Sequence, residues 1–131
     1  MKYWNELDGS TFFNMVFRHP IEIEDIKLFT IHIDNNRPSI IIGFDIKQIP
    51  DQPPKKWVTM GFNACRIGLN CSEISDLIIK NIPTNELLKI SIDKDGDVFE
   101  ICAKSENSLI KFSTKFPTLC DPSVYLTETP I

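Results

Sequence analysis

Leu88-Lys89-Ile90-Ser91-Ile92-Asp93-Lys94-Asp95-Gly96-Asp97-Val98-Phe99-Glu100-Ile101-Cys102-Ala103 alternates apolar and polar residues on both sides of Asp95-Gly96. That period of two is the signature of a half-buried strand, and Asp-Gly is a preferred pair for a two-residue type I′ loop. A loop there sets Ile92 opposite Phe99, Ile90 opposite Ile101 and Leu88 opposite Ala103. The other face carries Asp93 with Val98, Ser91 with Glu100 and Lys89 with Cys102, and Lys94 meets Asp97 beside the turn. A further turn at Glu106-Asn107 places Ala103 opposite Ile110 and Ile101 opposite Phe112. Residues 86–116 therefore read as an antiparallel meander with one apolar and one wet face.

Outward from this meander the pattern stays β. Asn35-Asn36 tolerates the positive φ that a two-residue loop needs, and a loop there sets Ile33 opposite Pro38, Ile31 opposite Ile40 and Phe29 opposite Ile42. Residues 56–71 read as one long strand whose apolar parity changes, from Val58, Met60 and Phe62 to Cys65, Ile67, Leu69 and Cys71. A β-bulge near Gly61-Asn63 absorbs such a change. Residues 74–82 form a further strand stopped by Pro83, and a short edge strand lies around Val124-Leu126. Before all of these, residues 9–18 form one short helix, with Asp8 or Ser10 as cap, Phe13, Val16 and Phe17 at helical spacing, and His19-Pro20 as its end. The expected fold is mainly β, about eight antiparallel strands in a meander plus one N-terminal helix. Curled sheet, partly open barrel and two-layer sandwich all share this alternation.

The chain has 131 residues, one domain's worth, with formal net charge −4, 42% hydrophobic and 24% charged residues. Residues 66–131 hold 10 acids and 7 bases, against 8 and 7 in residues 1–65. No basic stripe follows a phosphate backbone, so a nucleic-acid partner is not expected. No apolar run approaches the ~20 residues of a membrane span, and Met1–Asp8 shows no apolar signal core. All four cysteines read as reduced. Cys65 and Cys71 share a strand face with Ile67 and Leu69, and six strand residues put them roughly 20 Å apart, too far for a bridge.

No pattern carries chemistry. Asp93–Asp97 superficially resembles a calcium loop, but its glycine falls at the fourth position and Lys104 stands where the bidentate Glu belongs. His19 and His32 have no ligand partner at zinc spacing. No nucleophile elbow or phosphate loop is present, so neither a catalytic residue, a metal site nor a cofactor is expected. Trp4 and Trp57 each read in two ways, as a core or corner anchor or as an exposed hot spot for a partner.

Pro50…Pro53-Pro54-Lys55-Lys56-Trp57…Gly61-Phe62-Asn63 is too proline-rich for a central strand and reads as an exposed connector that delivers Trp57 to the next strand. Asn63 beside the bulge could satisfy frayed backbone groups or contact a ligand. Together with Trp4-Asn5-Glu6-Leu7 and the short helix, this stretch resembles the immunity protein 50 family of bacterial polymorphic-toxin systems. The shared features are length, β character and the run Pro-Pro-x-Lys-Trp-x-x-x-Gly-x-Asn. The motif positions here are Trp4, Glu6, Pro54, Trp57, Gly61 and Asn63. The resemblance implies a cytoplasmic, non-catalytic protein that binds a cognate toxin domain and blocks its active site or holds it inactive. It does not identify contact residues.

Charge and register supply those. If the toxin is basic, the expected contact surface is the wet face with Asp93, Ser91, Asp97 and Glu100, extended by Glu73 and Asp76. Two other classes compete with this expectation. A small-ligand-binding β-barrel requires a cavity behind the apolar face. A non-catalytic adaptor or assembly domain requires a long unpaired edge and homo-oligomers, which nothing in the pattern indicates.

Overall fold

The computed structural model describes residues 1–131. Six antiparallel strands form one sheet: β1 (Asp25–Asp34), β2 (Ser39–Ile46), β3 (Ala64–Lys80), β4 (Leu88–Asp95), β5 (Val98–Lys104) and β6 (Leu109–Tyr125). Their spatial order is β1-β2-β3-β6-β5-β4, and the sheet closes into a ring through the pairs Asp25/Lys89 and Ile26/Leu88. Two three-stranded meanders are thus joined along β3 and β6, which pair from Ala64/Tyr125 to Lys80/Leu109. The mainly β, antiparallel expectation holds, as one curled sheet rather than two stacked layers. The strand number falls from eight to six because residues 74–82 continue β3 and residues 124–125 continue β6. Long strands absorb the curl with local irregularities. Here they lie between Arg66 and Gly68 and between Ser75 and Ile78, with Glu73 and Asp76 at positive φ.

The β4–β5 hairpin keeps its expected faces but shifts its register by two residues. Ile92 pairs with Ile101, Ile90 with Ala103 and Lys94 with Phe99. The loop is Gly96-Asp97, and of the two only Gly96 has positive φ, at +67°. Glycine alone in the first position is the type II′ arrangement, which competes with type I′ wherever Gly is flanked by Asp on both sides. Lys94 accordingly lies over the Phe99 ring, 5.5 Å from its centroid, rather than opposite Asp97. Ile101/Phe112 and Ala103/Ile110 pair as expected.

The first hairpin also shifts by two. Asp34 pairs with Ser39, Ile33 with Ile40 and Ile31 with Ile42, which leaves residues 35–38 as the loop. Pro38 has no N–H to give a ladder, and Asp34 Oδ1 instead accepts from the Asn36 N–H at 3.0 Å, an Asx turn. A bulge between Leu28 and Thr30 inverts the parity of β1, so Phe29 faces outward rather than opposing Ile42.

Residues 55–60 are the largest departure. They form a helix, α2 (Lys55–Met60), not the start of a strand. Pro54 is its N-cap and Gly61, at φ +79°, its C-cap. Proline before a first turn and glycine after a last one punctuate a helix, so the parity change at 60–64 marks a change of element and not a bulge. The expected N-terminal helix is α1 (Thr11–Val16), preceded by one 3-10 turn at Trp4–Glu6.

The ring is filled. Phe44, Phe112, Ile40, Ile42, Leu69, Leu88, Ile92, Ile101 and Ile110 are all fully buried in one core, and Trp4, Leu7, Phe13, Val16 and Phe17 join it from the N-terminal segment. Cys65 and Cys71 are free and buried with them. Burial, then the charge of Asp45, pushes the Cys65 thiol up to about 12. Burial, then Cys120, does the same for Cys71, also to about 12. Both values stand above the ordinary 9.0, so the stabilisation from keeping these thiols neutral is full below pH 9.0 and is lost as pH rises toward 12. Native protein should leave Cys65 and Cys71 unlabelled by a thiol reagent at pH 8, while half-buried Cys102 reacts. Its urea midpoint should fall between pH 9 and pH 11. Labelling of Cys65 in the folded state at the rate of Cys102 would contradict this.

Candidate functional site

The outer surface of the sheet is built in lateral rows, because residues paired across antiparallel strands share a face. In the second meander one row runs Asp93–Glu100–Ser113–Ser75 across β4, β5, β6 and β3. The two-residue shift of the hairpin thus places Asp93 directly opposite Glu100. Like charges so placed repel; Lys111 relieves Glu100 through an ion pair of 3.1 Å. Glu100 stands first among the causes that hold the Lys111 ammonium above its ordinary value. Asp97 lies in the adjoining turn, and Glu73 and Asp76 flank Ser75 on β3. All five acidic residues are exposed, and Ser91 lies one row away, opposite Cys102. The far end of the same face is basic, with Lys89 opposite Lys104 and Lys80 opposite Leu109.

In the first meander the outer rows are Lys27–Asp45–Arg66–Ser123, Thr30–Gly43–Gly68–Cys120 and His32–Ile41–Asn70–Thr118. Gly43 and Gly68 leave the two central positions of the middle row without side chains, and a groove of about 450 Å³ opens beside them. At one wall Arg66 lies between two rings, 4.0 Å from the Phe29 centroid and 4.2 Å from that of Tyr125. Its Nε donates to Asp45 Oδ1 at 2.8 Å, and the Tyr125 hydroxyl donates to Asp45 Oδ2. Asp45 is 8% exposed, so its charge is held between these two donors. Burial first, and then this hydrogen bond, raise the Tyr125 hydroxyl above its ordinary value. The bulge explains Phe29, which is 50% exposed and packs across Gly43; a Cβ at Gly43 would lie 2.7 Å from its ring.

The motif residues lie elsewhere and mostly hold the fold. Trp4 is buried against Phe44, with ring centroids 5.3 Å apart. Trp57, on α2, meets Phe12 edge-on at 5.6 Å and is half-buried. Asn63 ties down the end of β6: its Nδ2 donates to Thr127 O at 2.8 Å and its Oδ1 accepts from the Thr127 N–H at 2.9 Å. Glu6 is exposed in the 3-10 turn, and Pro54 and Gly61 cap α2. No group of three or more His, Cys, Asp or Glu converges as metal ligands would. No helix is long and apolar enough to cross a membrane.

The ring interior is filled, and the rows of exposed carboxylates and the grooves lie on its outer face. Residues 9–125 match the profile of Immunity protein 50, and the chain belongs to that family. Neither curated proteins nor solved structures yield a match. An immunity family implies, in general terms, a toxin as protein partner.

Proposed function

We propose that this chain is a bacterial immunity protein that neutralises a cognate polymorphic-toxin domain by tight non-covalent association in the cytoplasm. It works by occlusion of the toxin's active site or by holding the toxin inactive, without catalysis, metal or cofactor. The observation that carries this reading is the register that sets Asp93 against Glu100 on one exposed face, with exposed Asp97 in the adjoining turn and exposed Glu73 and Asp76 either side of Ser75 on β3. A concentration of carboxylates steers a basic partner and speeds encounter. The filled interior supports it as well, since Phe44 and Phe112 occupy the space that a small ligand in a barrel would need.

The test is co-expression with polymorphic-toxin domains, beginning with any encoded beside it, scored by rescued growth and by co-purification. In the complex, Asp93→Lys with Glu100→Lys should slow association about tenfold at low salt and leave less salt dependence behind. Rescue that is absent sinks the immunity reading. Rescue with association unchanged by the double reversal removes the acidic face from the interface.

A further inference from the structure

Along β3 the acidic face and the glycine-floored groove are one continuous surface. Arg66, Gly68, Asn70 and Ser72 lead from the groove to Glu73 and Asp76, and a second groove lined by His32, Ser39, Asn70, Ser72 and Glu73 spans the join. Arg66 stands at one end of this surface, the apolar trough lies at its centre, and Glu73 and Asp76 stand toward the other end, where Arg37 also lines the second groove.

Arg66 is built as an anchor. Its planar guanidinium is stacked on both faces and pinned at Nε, so it is held in one orientation with little freedom left to lose on binding. The side chain nevertheless stays 37% exposed and lines the groove. A guanidinium held in this way presents its terminal nitrogens to a planar acceptor in fork geometry. Phe29 and Ile41, 50% and 38% exposed, wall the trough beside it, and Asp121 and His32 stand on its rim. Asp45 is engaged by Arg66 and Tyr125 and faces no partner.

We propose that this trough is the anchoring half of the toxin interface. It takes one projecting apolar side chain of the toxin beside Gly68, against the Phe29 ring that covers Gly43, next to an Asp or Glu carboxylate that Arg66 holds. Aromatic residues and arginine at such a centre carry most of the affinity of an interface, while the surrounding charges act on the rate of encounter. The inference rests on the immunity reading. It divides the labour within it: the carboxylates at Glu73, Asp76, Asp93 and Glu100 attract a basic region of the toxin, and the trough retains an acidic-apolar loop.

Phe29→Ala, Ile41→Lys and Arg66→Lys separate these roles, measured as dissociation of the complex with a catalytically inert form of the toxin domain tested for rescue. Phe29 and Ile41 are exposed enough to be changed without unfolding the chain, so they decide the matter even if Arg66→Lys loses stability. Each should speed dissociation about tenfold or more with association nearly unchanged, whereas the acidic double reversal acts on association. Dissociation unchanged in Phe29→Ala and Ile41→Lys overturns the anchor and leaves the immunity reading standing. A wild-type chain that forms no complex with the toxin overturns both. A free chain that is a dimer, and that Phe29→Ala or Ile41→Lys turns into a monomer, overturns the anchor by giving the trough to a second copy.

Discussion

Trp4→Ala should lower the thermal midpoint by about 10–20 °C. Trp4 is 1% exposed. Its backbone N–H donates to Ile21 O at 2.9 Å, its backbone carbonyl accepts from the Leu7 N–H at 3.2 Å, and its ring packs on Phe44. The 3-10 turn is three residues long and has no side-chain cap, so its conformation depends on the buried indole and not on local propensity. Truncating a buried tryptophan costs about 3–5 kcal/mol, against about 5–15 kcal/mol for the whole domain. Trp57→Ala is the control. Trp57 is half-buried and α2 contains no buried residue, so its loss should cost about 1–2 kcal/mol. Equal shifts for the two variants, by calorimetry under the same conditions, would mean that the N-terminal segment is not part of the core.

The two tryptophans also mark where the sequence could be read and where it could not. Alternation placed the inward faces of β2, β4 and β5 and of the first half of β3, because a two-residue slip in a hairpin conserves parity. Thus Leu88, Ile90, Ile92, Ile101 and Ala103 are buried under either register. The slip was not legible, because Asp95-Gly96-Asp97 offers glycine to either of two loop types and the choice belongs to the twist of the whole sheet. α2 carries a legible signal: Pro53-Pro54 before Lys55 and Gly61 after Met60 are helix punctuation around a six-residue segment. The outward turn of Phe29 had no local signal, since the stretch Leu28-Phe29-Thr30-Ile31 accommodates a bulge without glycine.

The same limit hid the trough. Asp45, Arg66 and Tyr125 are separated by 21 and 80 positions in the pairs that bind them, and only the β2–β3–β6 pairing assembles them. The acidic face was legible in kind, as carboxylates on the wet side. Its composition was not, because pairing Asp93 with Glu100 requires the true register.

Arg66→Ala should destabilise the fold by about 2 kcal/mol, although the residue is on the surface. Removing the guanidinium takes away the bond to Asp45 and both ring stacks, and leaves an 8% exposed carboxylate with the Tyr125 hydroxyl as its remaining donor. Orphaning one member of a fully buried ion pair costs about 3–5 kcal/mol. The cost here is smaller because Arg66 is 37% exposed and water enters when it leaves. Arg66→Lys should fall between, at about 1 kcal/mol, since the ammonium keeps the charge but neither stacks flat between Phe29 and Tyr125 nor presents a fork. The diagnostic variant is the double change Asp45→Ala with Arg66→Ala. It removes the buried charge together with its partner, so it should cost less than the sum of the single changes, with a coupling of about 1–2 kcal/mol in a double-mutant cycle. Additive costs, or a stability of Arg66→Ala equal to wild type in urea, would mean that Asp45 is hydrated in solution. The guanidinium would then be a mobile surface group, and the rigidity that makes Arg66 an anchor for a partner would be absent too.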